Sequence, residues 1–338
     1  MQRAEVETEF ADELHRAGFT LNEPAIMDGQ WHRGQVDGDR GAEKSGRYVG
    51  YTDGHPAGFL QNFRTGYAEP WKSSQPMREL TEADRQRIAA ARTAREAERK
   101  ATEERIGKQA FAMWMRGTEA RDNSYLSRKG VLAHGMRQDN RGKLLVPVKD
   151  EQGWIRNLQI IDPDGRKLFL PDGRTHGLFT LLGAREIHPA RPLLVAEGFA
   201  TAAAMREMLG QPVAIAFNSG NLLPVAQALQ RAYPGVRQVF AADNDHHLPR
   251  REKLLPNVGK EKATEAANAV GGLVLLPEFA PHQDGTDWLD FADAHGREVT
   301  RQLIRDALRQ EDMVCEPLVR QPWARRYGAR PAVQAQRG

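Results

Sequence analysis

The chain of 338 residues is 40% hydrophobic and 28% charged, with a formal net charge of +3, a mildly basic balance that is compatible with a polyanionic partner. Its single cysteine, Cys315, excludes an internal disulfide and a cysteine-based zinc site, as is usual in a reducing cytoplasm. No uncharged apolar stretch reaches the roughly 18 residues of a membrane span, so we expect a cytoplasmic protein with no membrane partner.

Residues 1–75 predict a small N-terminal α+β accessory module. Its first residues lack the apolar run of a signal peptide and favour an amphipathic helix over about 4–17. Patterned segments at 47–51 and 57–62 follow, and turn pairs such as Asp53-Gly54 interrupt the region. This alternation indicates a small antiparallel sheet.

Residues 76–117 predict a long charged helix that links two parts of the chain. Thr81 followed by Glu82 and Asp84 is a good helix start. The segment then continues without proline and is dominated by Ala, Arg and Glu, which favour a helix. Its apolar face is thin, so we expect most of it to be solvated.

Residues 118–189 predict an α+β subdomain with an antiparallel sheet. Apolar or alternating segments suited to strands are separated by turn signals such as Gln152-Gly153 and Asp164-Gly165. The expected strands lie at 144–150, 154–162, 167–171 and 177–183.

Residues 190–295 change to a regular alternation of short apolar strands and helices, which predicts a parallel sheet covered by helices. Residues 296–338 predict one more helix and then a poorly ordered tail that is rich in Pro and Arg. The expected strands of the parallel sheet lie at 192–196, 212–216, 238–242 and 273–276.

Acidic residues follow three of these strands. In an open α/β sheet, the loops after the carboxyl ends of the strands meet in one crevice. Clustered carboxylates resist joint ionisation, and a divalent cation relieves their repulsion. A set of oxygen ligands favours Mg²⁺ or Mn²⁺ over zinc. The acids are Glu197 after the first strand, Asp243 and Asp245 after the third, and Asp284, Asp287 and Asp290 after the fourth.

Each of these acids also has an ordinary structural interpretation. An Asp-x-Asp after a strand often caps the next helix, and Glu197 would be stabilised by a helix dipole. Asn218-Ser219-Gly220, at the end of the second strand, is either a phosphate contact or a polar turn. The acids taken together, at equivalent strand ends, favour a metal site for phosphoryl-transfer chemistry.

A basic segment follows Asp245 and suits a phosphate-binding surface, although solvated charge explains each of its residues singly. His246 and His247 lie in the same loop and would be further metal ligands, yet no Cys completes a zinc set. The basic residues that we consider here are Arg250, Arg251 and Lys260.

The segments LLVAEGFATA, with Glu197, and VFAADND, with Asp243 and Asp245, resemble the Toprim family of primases, topoisomerases, nucleases and recombination mediators. Residues 142–179 resemble the segment that precedes Toprim in bacterial replicative primases, and 125–137 resemble its substrate-facing part. Residues 46–72 resemble modules of the TraC-like primases of conjugative plasmids and integrating elements.

The resemblance implies a DNA primase that makes short primers on a single-stranded DNA template from NTPs, for replication or transfer of a mobile element. It implies that Glu197, Asp243 and Asp245 are catalytic and bind Mg²⁺ or Mn²⁺ together with Asp287. The candidate nucleotide or nucleic-acid contacts are Lys129, Arg137, Lys167, Asn218, Ser219, Gly220, Arg250, Arg251 and Lys260.

Two features separate this chain from the replicative primases that it resembles. A zinc ribbon cannot form, so no zinc is expected, and no G-x-x-x-x-G-K-[ST] motif is present. Unwinding would therefore need a separate helicase or mobilisation protein. A Toprim nuclease, and a non-catalytic DNA-binding mobilisation accessory protein, remain alternatives.

Overall fold

The computed structural model describes residues 3–74, 81–183, 187–188, 191–247, 257–280 and 283–312. Arg250, Arg251 and the predicted tail beyond 312 lie outside the described residues. The chain divides into two compact units, Met1–Lys100 and Ala101–Gly338. The finer division predicted from the sequence stays a prediction. No described helix is both long enough and apolar enough to cross a membrane.

The first unit has one antiparallel sheet in the order β1-β2-β3-β4-β5, with helix α1 on one of its faces. Phe10 and Leu14 of α1 are buried against Tyr48, Leu60 and Trp71 of the sheet. The predicted helix and sheet are both present. Their bounds are α1 (Arg3–Arg16), β1 (Phe19–Thr20), β2 (His32–Val36), β3 (Gly46–Tyr51), β4 (Ala57–Asn62) and β5 (Ala68–Lys72).

Glycines on the helix-covered face of this sheet make the close packing possible. A Cβ on Gly58 would lie 2.7 Å from the ring of Phe10, and one on Gly46 would lie 2.4 Å from the ring of Phe19. Both distances are too short for real side chains, so the glycines are required by packing against α1 and its neighbours.

Helix α2 (Glu82–Arg116) confirms the predicted long helix. It begins with a reciprocal cap, because the Asp84 amide donates to Thr81 Oγ1 and the Thr81 amide donates to the Asp84 carboxylate. Within the first unit, Arg95 pairs with Asp53. The last turns pack Ile106 into a small core of the second unit.

The second unit begins with an antiparallel sheet in the order β10-β9-β8-β7-β6, as predicted in kind. Helix α3 is capped by Asn123, whose side chain accepts hydrogen bonds from the amides of Tyr125 and Leu126. The elements are β6 (Thr118–Glu119), α3 (Ser124–Lys129), β7 (Arg137–Gln138), β8 (Leu144–Lys149), β9 (Ile155–Ile161) and β10 (Lys167–Phe169).

The other sheet has the order β11-β13-β12-β14-β15, and its last four members are parallel. Helices pack on both sides of it in two large apolar clusters. The elements are β11 (Thr180–Leu182), β12 (Leu193–Ala196), α4 (Phe199–Leu209), β13 (Val213–Ile215), α5 (Leu222–Ala232), β14 (Gln238–Ala241), α6 (Val258–Val270), β15 (Leu273–Leu275), α7 (Trp288–His295) and α8 (Arg297–Asp312).

Strand β11 corrects the sequence interpretation. It was expected in the preceding antiparallel sheet, but it pairs antiparallel with β13 and makes the second sheet mixed. Asn221 explains the placement: its amide group donates to the carbonyls of Leu178 and Ala216, which ties the chain before β11 to the end of β13. Apolar pattern alone does not distinguish the two sheets, because both faces of β11 are covered.

Candidate active site

Three carboxylates meet at the carboxyl edge of the mixed sheet. Glu197 directly follows β12, and Asp243 lies just beyond β14. Because β12 and β14 are paired with Ala196 opposite Ala241, the two acids leave the sheet side by side. Together with Asp287 they line a cleft of about 360 Å³. The strand-end argument from the sequence thus correctly predicted where these acids meet.

The surroundings of the two buried acids oppose their ionisation. Burial raises the pKa of Glu197 to about 7, and the charge of Asp245 adds to the rise. Burial also raises the pKa of Asp243 to about 8, with further contributions from the charges of Glu197 and Asp287. The Oδ1 atom of Asp243 is buried and has no hydrogen-bond partner in the part of the chain that the structure describes.

Asp245 is held by the start of helix α6 and is not among the residues that line the cleft. Its Oδ2 accepts a hydrogen bond of 3.1 Å from the amide of Gly259. A side chain at that position would not fit, because a Cβ on Gly259 would lie 2.5 Å from the carbonyl oxygen of Asp243. Asp245 therefore acts on the cleft through its charge, and its predicted metal contact stays a prediction.

Asp287 lines the cleft and also caps helix α7. Its Oδ1 accepts hydrogen bonds from the amides of Leu289 and Asp290, and the Asp290 carboxylate bonds back to the amide of Asp287. Thr201 of α4 donates to its Oδ2 at 3.0 Å. The cap and the hydroxyl fix this carboxylate at the rim, and the exposed Asp284 does not line the cleft.

Cations from the antiparallel subdomain face the acids across the cleft. Lys167 lies at the start of β10, and its Nζ is close to Gly198. A Cβ added to Gly198 would lie only 3.5 Å from that nitrogen. Its charge favours ionisation of both Glu197 and Asp243. Lys129 lines the same cleft, and its predicted nucleic-acid contact stays a prediction. Arg128, which the sequence analysis missed, also lines the cleft.

Two predicted basic contacts lie elsewhere. The Arg137 guanidinium donates to the carbonyls of Trp114 and Met115 at the end of α2, and it lies over the Trp114 ring. This is a helix-capping role. Lys260 is exposed on α6 and is not among the cleft residues. Their predicted nucleic-acid contacts stay predictions.

The turn after β13 reaches the cleft through its backbone. The amide of Ser219 donates a hydrogen bond to the Glu197 carboxylate. Phe217, which lines the cleft, has φ +74°, a left-handed conformation that is strained for such a residue and common at functional sites. Asn218 and Gly220 are exposed, so their predicted nucleotide contact stays a prediction.

Comparison with known protein families identifies the domain that contains Glu197, Asp243 and Asp287. Residues 192–298 match the family model of the Toprim domain. This part of the chain is a Toprim domain.

The matches to curated relatives extend well beyond the Toprim domain. Over 290 residues the chain is 40% identical to a DNA primase TraC of Escherichia coli, which covers 82% of this chain and 27% of the relative. A second DNA primase TraC of Escherichia coli is 35% identical over 290 residues and is covered to 20%. The chain thus spans about a quarter of the length of the curated relatives that it matches.

Two solved structures are also similar. The DnaG primase catalytic domain bound to ssDNA is 11% identical, with 62% of this chain and 82% of that chain covered and a TM-score of 0.41. The primase fragment of the bacteriophage T7 primase-helicase protein is 16% identical, with coverage of 53% and 73% and a TM-score of 0.39.

Toprim domains generally bind divalent metals, and the donors of this one fit such an ion. In the described ranges, no three His, Cys, Asp or Glu side chains lie close enough to hold a metal by themselves. Mg²⁺, however, usually takes one or two carboxylates and completes its shell with waters and phosphate oxygens. The unpartnered oxygen of Asp243 and the raised pKa of Glu197 are the features that a cation would relieve.

His246 packs against the segment that leads to α7. The His246 ring stacks on Phe279 at 5.6 Å, and its Nε2 lies 3.1 Å from the carbonyl oxygen of Gly285. These contacts hold the loop after β14 against the segment that leads to α7.

Sequence reasoning missed the residue that organises this loop. Asn244 is buried between the two aspartates, and its amide group donates to the carbonyl of Pro277. Its Oδ1 accepts from Asn257, and its backbone amide donates to the carbonyl of Thr286. A signal was available, since successive side chains of an extended segment point to opposite sides, so an Asn between two acids faces away from them.

Proposed function

We propose that this chain is the catalytic part of a DNA primase and extends primers on single-stranded DNA with nucleotides. The observation that best supports this proposal is that Glu197, Asp243 and Asp287 line the same cleft as Lys129 and Lys167. Such a cleft suits a triphosphate held between cations and carboxylate-bound metal. The 40% identity to a DNA primase TraC supports this choice of reaction.

In this proposal, Glu197 and Asp243, together with Asp245 and Asp287, would hold Mg²⁺ or Mn²⁺. The cation would stabilise the charge that develops at the phosphorus. Lys167 and Lys129 bind the phosphates of the incoming NTP or the template backbone. The Glu197 carboxylate assists removal of the proton of the primer 3′ hydroxyl as that oxygen attacks the α-phosphorus and pyrophosphate leaves. Asp245 and Asp287 add negative charge beside these two acids.

Further parts of the proposal concern the setting. We propose a cytoplasmic protein of a plasmid or mobile element that depends on a separate helicase or mobilisation protein. The DNA template, the NTPs and this partner are likewise proposed, because the chain spans only part of the length of its curated relatives.

Primer synthesis tests the proposal. The chain is incubated with unlabelled single-stranded DNA, labelled NTPs and Mg²⁺, and labelled products longer than one nucleotide are expected. Glu197→Gln and Asp243→Ala should abolish them, while Asp284→Asn, an exposed acid outside the cleft, should leave them unchanged. A parallel reaction with end-labelled DNA separates the nuclease alternative, which predicts shortening. Undiminished synthesis by either cleft variant contradicts the site.

A further inference from the structure

The sheet of the first unit has an open face with an unusual surface. Helix α1 covers the opposite face, where Tyr48 and Leu60 are buried. On the open face, Trp31 is 52% exposed and Phe63 is 47% exposed. Exposed aromatic rings that lie together on one face are more indicative of an interaction site than rings that are scattered singly.

Two arginines connect these rings into one surface, which we call the Trp31–Phe63 platform. The Arg47 guanidinium carbon lies 4.4 Å from the centre of the Trp31 ring and 5.5 Å from that of Phe63. The Arg33 guanidinium carbon lies 5.0 Å from the Phe63 ring. Gln61 accepts a hydrogen bond from Arg47 Nε at 3.0 Å and so fixes the guanidinium plane. Rings and guanidinium planes therefore alternate across the face.

The platform carries positive charge that the described residues do not neutralise. Arg33 and Arg47 are directly opposite each other on β2 and β3, an arrangement of like charges that destabilises a sheet. Neither forms an ion pair with a carboxylate of the described residues. Asp39 and Glu43, two acids of the loop between β2 and β3, are paired with Arg64 instead.

We propose that the Trp31–Phe63 platform is a second nucleic-acid site, separate from the catalytic cleft, that binds single-stranded DNA by stacking bases on the rings and pairing phosphates with Arg33 and Arg47. Unpaired bases offer the π-faces that exposed aromatics and arginine planes stack on, whereas the stacked bases of a duplex do not. The choice of DNA over RNA rests on the proposed function, because the template is much longer than the primer.

The first test measures binding of the full chain to a fluorescent oligo-dT in EDTA, without nucleotides, by anisotropy. Trp31→Ala and Phe63→Ala should each weaken binding by about fivefold or more, since one lost base stack costs about 1 kcal/mol or more. Trp154→Ala removes an aromatic ring that is 66% exposed in the second unit and should change nothing. Arg33→Gln should lower the salt dependence, while Arg87→Gln, an exposed arginine of α2, should not.

The second test locates the contact. Oligonucleotides with 5-iododeoxyuridine are irradiated with the full chain, and the cross-linked peptides are identified by mass spectrometry. Cross-links at Trp31 or Phe63 are expected, and they should persist in Asp243→Ala, so that a failed primase assay and a failed platform are distinguishable. The proposal would be overturned by cross-links confined to the second unit or by unchanged oligo-dT affinity of both aromatic variants. It would also be overturned if the aromatic variants lost as much affinity for duplex DNA as for oligo-dT, or if the wild-type chain bound oligo-U more tightly than oligo-dT.

Discussion

The acidic side of the cleft and the Trp31–Phe63 platform each concentrate charge of one sign, but they do so by different geometry. In the cleft, the carboxylates come from the ends of parallel strands, where the topology gathers them around a point. On the platform, Arg33 and Arg47 are cross-strand neighbours on an open antiparallel face. A point cluster suits a small ion, whereas a flat face suits a polymer. In both places the repulsion costs stability that a ligand of opposite charge would restore.

The largest expected effect separates the two regions by activity. On the proposed function, Asp243→Asn should lower primer synthesis by about a thousandfold or more, because the carboxylate that it removes would hold the metal at the reacting phosphorus. The same variant should bind oligo-dT in EDTA like the wild-type chain. A gel-based primer assay and the anisotropy assay measure the two effects, and a joint loss of both would show that the regions are not independent.

Lys167 tests the positive side of the cleft. Lys167→Met should reduce synthesis by roughly tenfold to a hundredfold, since one electrostatic contact to the phosphates is lost. Lys108→Met, which changes an exposed lysine of α2 outside the cleft, is the matched control. Steady-state rates at several NTP concentrations measure both, and equal losses in the two variants would refute the assignment of Lys167.

The acidic cleft also predicts how stability depends on pH without metal. The pKa of Glu197 is raised from 4.5 to about 7 and that of Asp243 from 3.8 to about 8. Carboxyls with a higher pKa when folded favour the folded state while protonated, so this stability is complete below about pH 4 and is lost as the pH rises through 7 and 8. Above that range, Asp243→Asn should raise the melting temperature by a few degrees.

Calorimetry in EDTA between pH 5 and 9 checks this difference, with Asp284→Asn as the control. Saturating Mg²⁺ should raise the melting temperature of the wild-type chain most at the alkaline end, because there the carboxylates are free to bind it. If Asp243→Asn melts at a lower temperature than the wild type at pH 9, this would contradict the claim that repulsion among the cleft carboxylates destabilises the metal-free chain.

The smallest expected effect concerns Arg137. Because its guanidinium donates to the carbonyls that end helix α2, Arg137→Gln should lower the free energy of unfolding by about 1–2 kcal/mol. Template affinity should not change. Urea unfolding and anisotropy measure the two quantities, and a loss of DNA affinity without a loss of stability would support the nucleic-acid contact that the sequence predicted.

The sequence predicted the features that depend on hydrophobic periodicity and on the order of strands and helices along the chain. Alternation of strands and helices located Glu197 and Asp243, since parallel strands necessarily end at the same edge. The strand and helix pattern could not show that the Asp245 carboxylate accepts a hydrogen bond from the amide of Gly259. Nor could it show that Arg137 donates to carbonyls at the end of α2. Each of these depends on one hydrogen bond between segments distant in sequence, which no local spacing encodes.

Strand β11 and the platform were missed for related reasons. The segment at 177–183 is apolar on both faces, so its pattern fits either sheet, and the side chain of Asn221 decides between them. Trp31 and Phe63 precede β2 and follow β4, outside the alternating parts of the strands. Only the folded sheet shows that both reach the same face as Arg47.

Binding of Mn²⁺ to the full chain, followed by electron paramagnetic resonance of the free ion, tests the central claim most directly. A site that Mg²⁺ competes for should be present in the wild-type chain and in Asp284→Asn, and it should be lost or weakened at least tenfold in both Glu197→Gln and Asp243→Asn. Equal Mn²⁺ affinity in all four proteins would contradict the claim that these two carboxylates share a cation.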